Sequence, residues 1–268
     1  LSLLAIVLPL VEGPRLGWPW WTWPCLASAA PLLGAFTLRQ HRLRVRAGSP
    51  LVDLAMFRER SYWAGLVIGL VYALAMSSFF LVLALYLQQG HGLGALDSGL
   101  IFLPLGLGYF VASTRSGAVA AVLGRQVLAL GSSVVAAGYA VLAVTVDRIG
   151  VTGPVPWLIP GLLVSGAGMG LVMAPLPSIV MAGVARRHSS AASGVLNAVQ
   201  QAGGAIGVAL VGLVFYRVLG ATPTPADHAA AFTHSQYLLA GFAVAVVALV
   251  QLLPKPAARP GGSDVQAK

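Results

Sequence analysis

The chain has 268 residues, 58% of them hydrophobic and only 9% charged, with a mean hydropathy of +0.86. Soluble domains carry roughly 25% charged residues, so a soluble fold is excluded. The net charge of +9 does not point to nucleic acid, because most of the cations separate apolar blocks and do not form the basic face of a folded domain. Cys25 is the only cysteine, which rules out an intrachain disulfide and a CxxC metal or redox motif; its ordinary reading is a small apolar residue.

In chain order, apolar blocks near the ~20 residues needed to cross a bilayer alternate with turn-rich or charged links. They predict crossings near 1–12, 20–38, 62–88, 98–114, 126–146, 157–184, 193–217 and 234–253. No period-two alternation appears, so a transmembrane barrel is not expected. The fold class is all-α, a polytopic transmembrane helical bundle. The first block, "LSLLAIVLPLVE", is too short to span, and it lacks the basic start and A-x-A site of a signal peptide. The expectation is a C-terminal piece of a longer protein, its first span incomplete. Residues 1–38 then hold two membrane spans, 39–61 form a basic linker, 62–254 form a six-helix bundle, and 255–268 are a polar, Pro- and Gly-rich tail expected to be disordered.

Alternating crossings leave Arg15, Arg148 and Arg217 on one side and all the other Lys and Arg residues on the opposite side. The positive-inside rule makes the basic side cytoplasmic and places the C-terminus there. Trp18, Trp20, Trp21 and Trp23 gather at the outer end of the first two spans, where amphipathic rings favour the headgroup layer. The linker is expected to rest on anionic lipid headgroups of the inner leaflet. The six later spans read as two sets of three. Ser98 and Gly99 begin one middle helix as Ser193 and Gly194 begin the other, with Gly108 and Gly203 in step, as in an inverted repeat.

Four stretches stand out within these blocks. In 62–88, Tyr72, Met76, Phe79 and Leu83 recur at helical spacing, and Gln88 and Gln89 close the outer end; the stripe reads as a cavity wall or as packing. The segment 117–129, "GAVAAVLGRQVLA", is expected to be a tight loop made possible by Gly117 and Gly124, with Arg125 bonding carbonyls at a helix end or acting only as a topology charge. Gly166, Gly168 and Gly170 lack the strand-turn-helix context of a phosphate cradle. They are read, with Pro175, as the packing surface of a kinked helix, and Met169 and Met173 stay open between packing and cavity. In "GVLNAVQQAGGAIG", Asn197, Gln200 and Gln201 are three and four residues apart and share one side of a helix. An unpartnered amide in hydrocarbon costs several kcal/mol, so that side should face protein or a water-filled cavity, with Gly203, Gly204 and Gly207 forming a packing seam beside it. Amides that merely tie helices together are the alternative.

Glu12, Asp53, Glu59, Asp97, Asp147, Asp227 and Asp264 all fall at span ends, in links or in the tail. His41, His91, His188, His228 and His234 do likewise. Intramembrane carboxylates or histidines usually form proton relays, so any such group is expected outside this stretch of chain. His228 and His234 near Asp227 lack the ligand spacing of a metal site, and no metal or cofactor is expected. No G-x-S-x-G elbow, P-loop or H-E-x-x-H occurs, so an enzyme is not expected.

Four stretches together, "PLVDLAMFRERSY", "VLALYLQQGHGLGALDSGLIFLPLGLG", "GAGMGLVMAPL" and "SGVLNAVQQAGGAIGVALVG", resemble the fourteen-span drug:proton antiporter branch of the major facilitator superfamily. They cover most of residues 50 to 215 in the family's order, and "EGPRLGWPWW" is similar to the turn between its extra seventh and eighth spans. The resemblance implies a two-bundle, proton-coupled exporter of lipophilic, often cationic compounds in a bacterial inner membrane. An N-terminal bundle of the same polypeptide would be missing here. Its partners would be membrane lipids, a small lipophilic substrate and protons. It also implies that 117–129 corresponds to the family's G-x-L-A-D-R-x-G-R-K loop. That loop departs from the pattern: its acidic position is Ala121 and its first basic position Val122, the groups on which charge-relay gating would rest. Asn197, Gln200, Gln201, Tyr72, Met76 and Phe79 are the candidate substrate contacts. A facilitator specific for one metabolite or lipid, and a truncated non-transporting scaffold, are the alternatives.

Overall fold

The computed structural model describes residues 59–253 except 183, 185–187 and 221, together with positions 20, 24, 28 and 31. The chain divides into two compact units, Leu1–Leu54 and Ala55–Lys268, and the second holds the described fold. The expected crossings at 1–12 and 20–38, most of the basic linker and the tail lie outside the described residues.

Helix α1, Arg60–Leu85, runs on as a π-helical turn over Tyr86–Gly90. Helices α2 (Ala95–Ile101) and α3 (Leu103–Leu123) make the second segment, and α4 (Gln126–Ile149) the third. A 3-10 turn over Val155–Leu158 leads into α5 (Ile159–Met173) and α6 (Leu176–Met181), a segment interrupted just before Leu176 beside Pro175. Helices α7 (Ser189–Leu219) and α8 (Pro225–Val250) complete six segments long and apolar enough to cross a membrane. No strand occurs among the described residues. An all-helical answer is what lipid demands, since each backbone N–H and C=O must then find its partner within its own segment.

Two expected boundaries are corrected. The link at 113–125 is helical to Leu123, so Gly117 lies inside α3 and not in a tight loop. The polar residues there do not break the helix because their hydroxyls bond back into the preceding turn: Ser113 donates to Phe110 O (2.9 Å), Thr114 to Val111 O (2.8 Å) and Ser116 to Ser113 O (2.7 Å). Alanines at 118, 120 and 121 add strong helix propensity. The last crossing begins at Pro225, not at 234. Thr224 and Asp227 form a capping box, in which the Thr224 amide donates to Asp227 Oδ2 (2.8 Å) and the Asp227 amide to Thr224 Oγ1 (3.4 Å). Proline at the first helical position completes that start signal.

The segments pack in a pattern that exchanges the two sets of three. The middle helix of each set lies on the first helix of the other: α3 on α5, and α7 on α1. The third helices, α4 and α8, pack on each other. Glycine permits both exchanges. A Cβ on Gly108 would strike the Leu163 carbonyl, and one on Gly166 or Gly170 the Leu105 or Tyr109 carbonyl; across the other pair, Gly203 and Gly207 rest on the Leu70 and Leu74 carbonyls of α1. Gly168 faces α4 instead, against Val135 and Gly131. Inside this frame the core gathers Phe79, Leu83 and Tyr86 of α1, Tyr139 and Leu142 of α4, Met169 of α5, Phe215 of α7 and Phe232 of α8. At the ends of α3 and α4, Gly124 (φ 55°) and Gly150 (φ 59°) turn the chain in the left-handed region that a side chain rarely adopts.

Gly166→Val should cost about 3 kcal/mol, since overpacking against a facing backbone has no rotamer to relieve it. Gly106→Ala, directed into open space, should be close to neutral. Thermal unfolding midpoints of the two variants in detergent test the contrast.

Candidate functional site

The amide stripe of α7 flanks its glycine seam. Gly203 and Gly207 hold α7 to α1, and one and two turns before Gly203, Gln200 and Leu196 approach Gly69 of α1. Gln200 is half-buried there, whereas Asn197 and Gln201 are exposed on the flank turned away from α1. At 1.5 Å per residue, Gln200 and Gln201 lie within about 6 Å of the midpoint of α7 along its axis. Gly204 lies on the seam, its absent Cβ directed at Ser77. Two neutral amides at this depth offer donors and acceptors to a polar group that enters a membrane-spanning protein, and no charge that would bind it irreversibly.

The second stripe goes elsewhere. Tyr72 is buried and its hydroxyl donates to the Met169 carbonyl (3.4 Å). Phe79 is fully buried and stacks on Tyr139 with ring centroids 4.8 Å apart. Leu83 is likewise in the core, and Met76 is half-buried at its edge. The face of α1 that carries Tyr72 and Phe79 therefore packs toward α4 and α5, while a different face meets α7. The amides of α7 and the aromatics of α1 therefore meet different neighbours. The aromatics are fixed by the helices they bridge. Met173 is half-buried.

Gln88 and Gln89 are exposed in the π-helical turn at the end of α1. Beside them is a cluster that periodicity does not reveal. Tyr86 donates its hydroxyl proton to the Gly150 carbonyl (2.6 Å), so His91 Nε2, 3.0 Å from the Tyr86 hydroxyl oxygen, must be the donor in that contact. Phe232 of α8 packs on Tyr86 with centroids 4.5 Å apart. One ring thus ties α1 to the turn after α4 and to α8. At the opposite end, Arg125 donates to the Gln251 carbonyl at the close of α8 (3.4 Å), and the Gln126 and Gln251 amides pair (3.1 Å).

Gln236 of α8 is the residue the sequence left unmarked. It is fully buried, and neither amide atom has a partner. Each such atom costs about 1–3 kcal/mol, so α8 carries a polar group that stability alone does not explain. Its signal in the sequence is the one Asn197 carries, an amide in an apolar block, but it stands without a second amide to make a stripe. Two cavities of about 350 and 430 Å³ open at the end of the bundle where α4 stops, lined by residues other than the amides and aromatics above. Among the described residues no group of three or more His, Cys, Asp or Glu side chains could hold a metal ion.

The family model described as Major Facilitator Superfamily matches residues 1–208 of the chain. The chain is 35% identical over 244 residues to a probable actinorhodin transporter of Streptomyces coelicolor, an overlap covering 90% of this chain and 42% of that protein. It is 34% identical over 200 residues to the drug efflux pump JefA of Mycobacterium tuberculosis, covering 73% of this chain and 37% of the pump. Over 223 residues it is 27% identical to the multidrug resistance protein Stp of the same species, with 82% and 40% covered. The chain spans less than half the length of each of these relatives.

Burial lowers the pKa of His91 from its ordinary 6.5. An unfolded chain would then take up a proton below pH 6.5 that the folded one resists, so stability should fall as pH drops through that value and level off below the folded pKa. Between pH 7.5 and pH 5.5 the unfolding midpoint of the wild type should fall further than that of His91→Gln. Equal falls would show that the Tyr86 cluster does not govern this response.

Proposed function

The chain belongs to the major facilitator superfamily, and from that premise we propose that it is the C-terminal part of a fourteen-span exporter that moves drugs or other lipophilic compounds outward in exchange for protons. The names of its relatives, among them a drug efflux pump and a multidrug resistance protein, support the substrate class. The observation that carries the reading is the amide flank of α7: Asn197 and Gln201 stand exposed at membrane depth on a helix whose other side is sealed by glycine against α1. Polar groups placed there are costly against acyl chains. They fit a path shared with another bundle of the same polypeptide, against which residues 62–254 would rock.

In this mechanism Asn197 and Gln201, with Gln200 at the rim, contact the polar part of the substrate or the water around it. Met76 supplies an adaptable apolar contact. Tyr72 and Phe79 act at one remove, holding α1 in position through Met169 and Tyr139. The described acids, Glu59, Asp97, Asp147 and Asp227, lie at or near the ends of spans, so proton coupling rests on a group elsewhere in the longer protein. The C-terminus faces the cytoplasm of a bacterial cell, as the distribution of Lys and Arg favours. A narrow exporter of one compound is the second reading, favoured by the relative named for actinorhodin alone.

The test expresses the full-length protein in an efflux-deficient bacterium and follows accumulation of several chemically distinct lipophilic cationic dyes. Expression should lower accumulation of most of them. Asn197→Leu with Gln201→Leu should slow export by about tenfold, the scale of one to two lost hydrogen bonds, with membrane insertion unchanged. Equal accumulation with and without expression across all dyes contradicts multidrug export. Unchanged export by the double variant removes the amides from the path.

A further inference from the structure

The end of the bundle where α4 stops carries a feature that substrate export does not use. Val144, Thr145, Arg148 and Ile149 of α4 and Trp157 of the 3-10 turn line a cavity of about 430 Å³. Arg148 is its only charged side chain. Among the described residues Arg148 makes no ion pair or hydrogen bond, and the same holds for the Trp157 indole N–H, on a ring that is 65% exposed. Two donors of different kinds therefore flank the cavity without acceptors. Asp147 lies about 100° around the helix from Arg148 and does not line the cavity.

Below the cavity, the exposed face of α4 continues from Val144 through Val141 to Ala137. That face descends about 16 Å from Arg148, roughly half the hydrocarbon thickness of a bilayer, which is the depth one leaflet's acyl chain occupies. The order from the helix end inward is thus cation, indole, then uninterrupted apolar surface. Arginine presents forked donors that match phosphate oxygens, and tryptophan settles at the headgroup level.

We propose that this cavity binds an anionic glycerophospholipid, with its diester phosphate on Arg148 and the Trp157 N–H and one acyl chain along Val144, Val141 and Ala137. An anionic headgroup is favoured over a zwitterionic one because the latter brings an ammonium into a cavity whose single charge is already positive.

Native mass spectrometry of the purified full-length protein, titrated in detergent with phosphatidylglycerol or phosphatidylcholine of identical chains, tests this. The wild type should retain phosphatidylglycerol more tightly than phosphatidylcholine. Arg148→Gln should weaken phosphatidylglycerol binding about tenfold, as expected for loss of a charge-assisted contact. Trp157→Phe, which keeps the ring and removes the donor, should weaken it about threefold. Arg217→Gln, an exposed cation in the last turn of α7 at the same end, should leave it unchanged. Wild-type retention by both Arg148→Gln and Trp157→Phe overturns the site, and so does equal retention of the two lipids. Should Arg148→Gln fail to insert, Trp157→Phe alone decides.

Discussion

A methyl group added at Gly108, Gly166, Gly203 or Gly207 would occupy space already taken by the backbone of the facing helix. In a bilayer, association of helices draws on close van der Waals contact, because lipid tails are as apolar as leucine. Closeness of approach at these glycines is therefore what the six-segment bundle depends on. The same device works twice, once between α3 and α5 and once between α7 and α1, so the two sets of three helices interlock by equivalent contacts. Ser165 at Gly138 extends it to the pairing of α5 with α4.

This interlocking governs what each helix has left to offer. With its glycine face spent on α1, α7 turns Asn197 and Gln201 outward, and α3 exposes Leu103, Leu107 and Phe110. The aromatics of α1 are drawn in the other direction, into the core with Tyr139 and Met169. Polar and apolar residues of similar depth thus acquire different roles from the side on which the nearest glycine lies. At the far end, the Tyr86 ring and its bond to Gly150 fix the place where α1 loosens into a π-helical turn.

Much of this was legible beforehand, and the exceptions share a cause. Hydropathy located the six described crossings because each is long and nearly free of charge. The inner half of α3 was hidden by Ser113, Thr114, Arg115 and Ser116, which look like a link until the hydroxyls of Ser113, Thr114 and Ser116 are seen to bond within the helix. The early start of α8 was written in Thr224, Pro225 and Asp227, a capping signal outweighed by the polar residues around it. For the candidate site, spacing placed Asn197, Gln200 and Gln201 on one side of a helix, yet it could not say which neighbour Tyr72 and Phe79 would meet. Periodicity defines a face; only the packing partner gives that face a role. The bond of Tyr86 to Gly150 and its contact with Phe232 join residues distant in sequence, which no local pattern encodes.

The pairing of α1 with α7 through glycine can be measured directly at Ser77 and Gly204. A Cβ on Gly204 would lie 3.4 Å from that of Ser77, close to the separation a disulfide spans. With Cys25 replaced by alanine, Ser77→Cys and Gly204→Cys should cross-link under mild oxidation in native membranes. A protease site inserted in the turn after Gly150 would leave the two halves migrating together until reductant is added. Halves that separate without reductant would contradict the glycine-mediated contact.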